Sequence, residues 1–242
     1  MATVKRSALI SGASRGIGKA IATALGAEGY DLYLICRQSA DSLYSLSEKL
    51  SEQYHINCEC FIGDVSDEDF CDSVFSKIES LDVLINNAGI SYVGLLQDMT
   101  SLQWHNVIDT NLTSAFYLSS RAIPMMVSKK AGSIVNISSM WGRVGASMEV
   151  AYSASKGGLN AMTQALAKEL APSNISVNAI ACGVIDTDMN SHLSIEEKEA
   201  LRAEIPADRF ATPKEVAKAV ISIINSGSYL TGQIIGFDGG YI

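Results

Sequence analysis

The stretch SGASRGIG, residues 11–18, joins a short apolar run, ALIS at 8–11, to a helix-like pattern that begins at 17. Its glycines, Gly12, Gly16 and Gly18, follow the spacing Gly-x-x-x-Gly-x-Gly. Glycine accepts the positive φ of a tight turn and lets a ligand approach bare backbone. A helix that starts there points its free N–H groups and positive dipole end at the same place. Strand, glycine turn and helix in this order describe a cradle for the pyrophosphate of a dinucleotide. The first candidate cofactor contacts are therefore Gly12, Ser14, Arg15, Gly16, Ile17 and Gly18.

Outward from this turn, apolar runs recur: DLYLIC at 31–36, CECFIG at 58–63, DVLIN at 82–86, SIVNIS at 133–138, ISVNAIA at 175–181 and GQIIGF at 232–237. Helix-like stretches separate them, at 17–28, 41–53, 67–79, 105–127, 153–171 and 213–225. The alternation predicts a Rossmann-type, doubly wound α/β fold: a mostly parallel sheet of seven strands with helices on both faces. No linker rich in Pro, Gly or Ser divides the 242 residues, so one domain over 1–242 is expected. The charged, least regular segment, 183–212, is read either as a lid over substrate at the carboxyl ends of the strands or as a surface excursion with one helix.

Composition narrows the function. Hydrophobic residues make up 48% and charged residues 18%, enough apolar material for a core and no signature of disorder. A net charge of −8 without a long basic run argues against a nucleic-acid partner and against attraction to anionic lipid. No apolar run approaches the ~20 residues of a membrane span, and the apolar stretch near the start is too short for a secretory core, so a cytoplasmic location is expected. Five cysteines stand at 36, 58, 60, 71 and 182. Cys58 and Cys60 share one face of a strand but lack a second ligand pair, so they read as reduced thiols and no metal is expected.

The end of the second strand discriminates between dinucleotides. A site for NAD usually places an acid there, to bind the ribose 2′-hydroxyl. LICRQS instead offers Arg37, and Arg15 stands within the glycine turn. Two guanidinium groups suit a 2′-phosphate, so NADP(H) is the expected cofactor. Further on, AYSASKGG at 151–158 sets Tyr152 and Lys156 four positions apart, one turn of a helix, among small residues. By themselves they read either as a surface pair or as an acid with its tuning charge.

Together these residues resemble the short-chain dehydrogenase/reductase family, of the compact subtype. The likeness runs through GASRGIG, GDV at 63–65, NNAG at 86–89, Asn111 in DTNL, NISS at 136–139, YSASK at 152–156, GVIDTDM at 183–189 and TGQIIGFDGG at 231–240. It implies that Asp64 and Val65 bracket the adenine and that Asn87, Ala88 and Gly89 pass along the cofactor. It also implies that Val184, Ile185 and Thr187 meet the nicotinamide end. The catalytic set it implies is Asn111, Ser139, Tyr152 and Lys156. Ser139 is preferred to Ser138 because it stands thirteen positions before the tyrosine.

The chemistry implied is hydride transfer from a nicotinamide to a carbonyl, which leaves negative charge on oxygen and calls for a proton and hydrogen-bond donors. Tyr152 is the expected acid, Lys156 the cation that eases its ionisation, Ser139 the donor to the substrate oxygen, and Asn111 the support of a water path from Lys156. The broad resemblance is to 3-oxoacyl-acyl-carrier-protein reductases of fatty-acid biosynthesis. Cys182 stands where the family usually has Pro, and Glu149 where a neutral residue is common. The block around Trp141 looks like reductases of 5-aminopentanone-modified elongation factor P, whose amine Glu149 would suit. Dehydrogenases of secondary alcohols, hydroxysteroids or sugars share the tetrad, and a non-catalytic NADP-sensing protein is the reading of another class. A homotetramer is expected from the family, with a ketone substrate that is a small molecule or is carried by a protein such as acyl carrier protein, for which Lys129 and Lys130 offer basic charge.

Overall fold

The computed structural model describes residues 5–190 and 194–242. Seven strands form one sheet: β1 (Ser7–Ser11), β2 (Asp31–Cys36), β3 (Cys58–Ile62), β4 (Val83–Asn86), β5 (Gly132–Ser139), β6 (Ile175–Cys182) and β7 (Ile234–Phe237). Their order is β3-β2-β1-β4-β5-β6-β7, and every pairing is parallel, where the sequence suggests a mostly parallel sheet. The central strands are buried on both faces, which is why β1 and β6 lack the alternation of a half-exposed strand.

Successive side chains of a strand serve opposite layers. Ala8 and Ile10 pack with Ile21, Leu25, Leu43 and Val220. Those partners lie on α1 (Gly16–Ala27), α2 (Ala40–Tyr54) and α9 (Pro213–Asn225). Leu9 faces the other way, with Val74, Leu118, Met126 and Ala167. This second layer is built by α3 (Glu68–Phe75), α5 (Ser114–Lys129) and α7 (Val150–Leu170). Each fully buried Leu or Ile contributes roughly 1.5–3 kcal/mol, so the paired layers dominate the stability of the fold.

Three helical features depart from the sequence expectation. The stretch 105–127 is not one helix: α4 (Ser101–Ile108) and α5 are joined by a π-helical turn, Asp109–Thr113. α4 also starts earlier, where Thr100 and Gln103 form a capping box. Two short helices, α6 (Trp141–Val144) and α8 (Ile195–Glu204), stand outside the helix-like stretches of the sequence pattern. The latter lies inside the expected lid, of which positions 191–193 fall outside the described residues.

The strand order reverses direction between β1 and β4, so their carboxyl ends diverge into a crevice, the usual ligand site of open parallel sheets. Gly18 fixes one wall of that crevice. A Cβ there would stand 2.2 Å from the carbonyl oxygen of Gly12 and 2.6 Å from Asn87 Nδ2. Gly18→Ala is expected to lower stability by about 2 kcal/mol or more through displacement of the turn. Gly157→Ala, whose Cβ would meet only the Gly142 carbonyl at 3.6 Å, is expected to raise it by about 0.5–1 kcal/mol. Urea denaturation of both variants checks the opposite signs.

Candidate active site

A cavity of about 950 Å³ opens along the carboxyl ends of the strands. At one end the glycine turn bends through positive φ at Gly12 (67°) and Gly16 (54°). Arg15 is the N-cap of α1 and makes no side-chain cap bond, and the first turn of the helix holds no acid. The N–H groups of that helix end are thus left to a ligand, with no carboxylate competing for them. This fits a dinucleotide pyrophosphate.

Ser14, Arg15, Gly16 and Ile17 line the cavity with Gly12, whereas Gly18 lies beneath them as the contact between helix and strand. Asn87, Ala88 and Gly89 line it as well. Asn87 turns its amide back on the glycine turn, donating to Ser11 O at 2.9 Å and Gly12 O at 3.1 Å. Ser11 completes the clamp: its hydroxyl accepts from the N–H groups of Asn87 and Ala88, each at 3.0 Å. Sequence reading passes over Ser11, although a hydroxyl at the last position of a buried strand signals a polar demand there.

Arg37 and Arg15 both face the cavity, each beside an acid. Arg37 Nε lies 3.0 Å from Asp64 Oδ2, and Arg15 Nη1 lies 3.8 Å from Asp188 Oδ2. Asp64 is held in turn by the N–H and hydroxyl of Ser66, at 2.9 and 2.7 Å, while Val65 beside it is buried. Val184, Ile185 and Thr187 close this wall, with a methyl of Thr187 poised 3.5 Å from where a Gly16 Cβ would stand.

At the other end α7 brings Tyr152 and Lys156 onto the cavity beside Ser139, the last residue of β5. The Lys156 ammonium is 5.8 Å from the Tyr152 ring centre and donates to Ile137 O at 2.8 Å. Only 4% of Lys156 is exposed. Burial therefore lowers its pKa to about 8. Burial also raises the Tyr152 phenol above its usual value, the hydrogen bond with Ser139 opposing this. In the free protein desolvation dominates both groups, and the phenol keeps its proton. Cys182, buried beside Lys156, is pushed up to about 12 for the same reason.

Asn111 sits within the π-helical turn, 2% exposed, and does not line the cavity. Its Oδ1 accepts from Ile90 N–H at 2.8 Å, and its Nδ2 donates to Ile90 O at 2.8 Å and to Ser155 Oγ at 3.0 Å. The carboxamide clamps the chain after β4 to α7, and it lies close to Lys156: a Cβ on Gly89 would stand 3.3 Å from Asn111 Oδ1 and 3.4 Å from Lys156 Nζ. A π turn widens the helix at this point, a distortion common at functional sites. Ser138 points away to Asn160 Oδ1 at 2.7 Å.

Trp141 and Glu149, the substrate candidates, both line the cavity. Glu149 accepts from Ser91 Oγ at 2.8 Å, and Met148 before it holds a left-handed backbone, φ 64°. Ser91 has no signal in the sequence, because only the fold brings the β4 exit against the start of α7. Among the described residues no helix is long and apolar enough to cross a membrane, and no group of three or more His, Cys, Asp or Glu is placed to hold a metal.

A parallel sheet with a phosphate cradle at one end of its crevice and a proton donor at the other defines an oxidoreductase of C=O and CH–OH groups. The model of the short chain dehydrogenase family matches residues 6–198, and the chain belongs to that family, whose cofactors are NAD(H) or NADP(H). The uncharacterized oxidoreductase YmfI of Bacillus subtilis is 40% identical over 240 residues, covering 98% of this chain and 99% of the relative. The 3-oxoacyl-[acyl-carrier-protein] reductase FabG of Aquifex aeolicus is 37% identical over 237 residues, with 96% and 95% covered. The crystal structure of YwfH, an NADPH dependent reductase involved in bacilysin biosynthesis, superposes with a TM-score of 0.93 at 27% identity, covering 98% of each chain.

The lowered pKa of Lys156 makes a prediction for stability. Below about pH 8 both folded and unfolded lysine are charged, and the burial penalty is fully present. Between about 8 and 10.5 the folded chain has released the proton that the unfolded chain still binds, so this group adds stability as pH rises. Cys182, raised by burial, acts oppositely above about pH 9. Lys156→Met is therefore expected to be more stable than the parent at pH 7.5 and to lose much of that advantage by pH 9.5. Urea midpoints at the two pH values measure the change.

Proposed function

We propose that the chain is an NADPH-dependent ketone reductase acting on 3-oxoacyl thioesters. The observation that carries this is the convergence of Ser139, Tyr152 and Lys156 on the cavity that also receives Arg15 and Arg37. Arg37 at the exit of β2, where NAD sites usually carry an acid, and Arg15 in the glycine turn favour the 2′-phosphate of NADPH over a bare ribose, the phosphate competing with Asp64 and Asp188 for the two guanidinium groups. The relatives named as 3-oxoacyl-[acyl-carrier-protein] reductases support the substrate class.

The bound nicotinamide supplies the hydride. Ser139 orients the carbonyl by donating to its oxygen. As the carbonyl π pair moves onto that oxygen, Tyr152 gives up its proton to it, and burial ensures that the phenol starts protonated. The tyrosinate left behind is stabilised by the Lys156 ammonium, and Lys156, with a pKa of about 8, can return the proton and recharge from solvent near neutral pH. Asn111 holds the Ile90 backbone and α7 in register throughout. Val184, Met189 and Leu201, all lining the cavity, support the reading of 183–212 as the substrate cover. Exposed Leu102 and Phe116 on α4 and α5 support assembly into a homotetramer. A cytoplasmic location accompanies this reading.

A second reading is favoured by Glu149, a carboxylate on the cavity held by a serine hydroxyl. It suits a ketone that carries an ammonium group, such as 5-aminopentanone-modified elongation factor P. Lys129, one of the two lysines offered to a carrier protein, is already paired with Asp82 at 2.5 Å.

NADPH oxidation with acetoacetyl thioester and with a small aminoketone, against NADH, tests both readings. Tyr152→Phe is expected to lower kcat by ~10²-fold or more while NADPH still binds. Equal turnover would remove Tyr152 as the acid. Glu149→Gln is expected to raise KM for the aminoketone and to leave the thioester unchanged if the second reading holds; equal effects on both would reject it.

A further inference from the structure

The chain does not end with β7. Gly239 and Gly240, at φ 69° and 86°, turn residues 238–242 back against the segment 205–207 that follows α8. Phe237 O accepts from Gly183 N–H at 2.9 Å, and Gly239 O from Ala207 N–H at 3.1 Å. The approach is close: a Cβ on Gly239 would stand 2.9 Å from Ile205 Cγ2 and 3.0 Å from the Ala207 Cβ. Asp238 anchors the turn, accepting from Gly240 N–H at 3.0 Å through Oδ1 and lying 3.9 Å from Arg143 Nη1 of α6 through Oδ2.

Tyr241 then bridges α8 and α6, each of which supplies a residue to the cavity lining. Its hydroxyl donates to Glu204 Oε2, on the last turn of α8, at 2.5 Å. Its ring meets Trp141 of α6 edge-on, with centres 5.8 Å apart and planes at 83°. Trp141 and Leu201 of α8 both line the cavity. α8 has no buried residue of its own, and Ile205, buried just after it, seats its C-terminal end. The hydrogen bond from the phenol to Glu204 adds a second tie at that end, one that orients the last turn of the helix.

We propose that Tyr241 is a positioning residue for substrate selection: by holding Glu204 and Trp141 together it sets the spacing of α8 and α6 and hence the size of ketone the cavity accepts. This rests on the reading of that end as the ketone site. The partners of Tyr241 are Glu204 and Trp141 rather than Ser139, Tyr152 or Lys156, so chemistry and cofactor binding should be spared when it is changed.

The test combines hydrogen exchange with kinetics on the full chain. In Tyr241→Phe, which keeps the ring and loses the bond, amide exchange across 195–204 is expected to rise about five-fold while that of β5 and β6 is unchanged. The ratio of kcat/KM between a short and a long 3-oxoacyl thioester should fall by about three- to ten-fold through KM, with kcat for the preferred ketone and NADPH affinity retained. Glu204→Ala should reproduce both effects, and Glu204→Gln, which keeps an acceptor, should restore most of each. Unchanged exchange in α8, or a joint fall of kcat, NADPH affinity and thermal stability, would overturn the proposal. If no ketone is reduced by any form of the protein, the proposed function fails, and α8 exchange alone then decides whether the tie exists.

Discussion

The carbonyl of Gly12, the absent side chain of Gly18 and the amide of Asn87 occupy one small volume between β1 and β4, and the arrangement of the cavity depends on how they share it. A Cβ at Gly18 would overlap both neighbours, so only glycine lets α1 descend onto the turn. Asn87 then donates to the carbonyls of Ser11 and Gly12, and the Ser11 hydroxyl accepts from the N–H groups of Asn87 and Ala88. With β1 and β4 joined in this way, the uncapped N-terminus of α1 is aimed into the crevice. The same set of contacts thus stabilises the switch point and leaves the N–H groups of the α1 N-terminus facing the cavity.

The other end of the cavity is governed by desolvation. Lys156 is a buried ammonium that donates to a backbone carbonyl, an arrangement that costs stability unless a further partner arrives. Under the proposed function, hydroxyl groups of the nicotinamide ribose would be such a partner, and the penalty carried by the free protein would be relieved on loading. Tyr152 shows the same logic with opposite charge: burial keeps the phenol neutral, the state that the proposed proton donor would need.

The seven strands and the main helices are legible because their signals are local: short apolar runs for buried parallel strands and 3.6-residue periodicity between them. The glycine turn is legible for the same reason, since positive φ and a close helix approach both demand glycine at fixed spacing. Features created by non-local contact leave no such mark. The π turn at Asp109–Thr113 breaks no sequence pattern, yet it places Asn111 against Ile90 and Ser155. α8 has too little apolar periodicity to announce itself, and its position follows from Ile205 and from the tail.

The sequence by itself determined the fold class, the order of the strands and helices and the glycine turn, because each is written in residues a turn or a strand apart, whereas Tyr152 and Lys156 stood out only through the family resemblance of the whole chain. Tertiary structure alone decided the protonation bias of Tyr152 and Lys156, the pairing of Arg37 with Asp64 and of Glu149 with Ser91, and the seating of Tyr241 between Trp141 and Glu204. Burial, charge screening and hydrogen-bond geometry depend on which distant segments exclude water from the same place, and that is fixed only when the sheet and its two helical layers close.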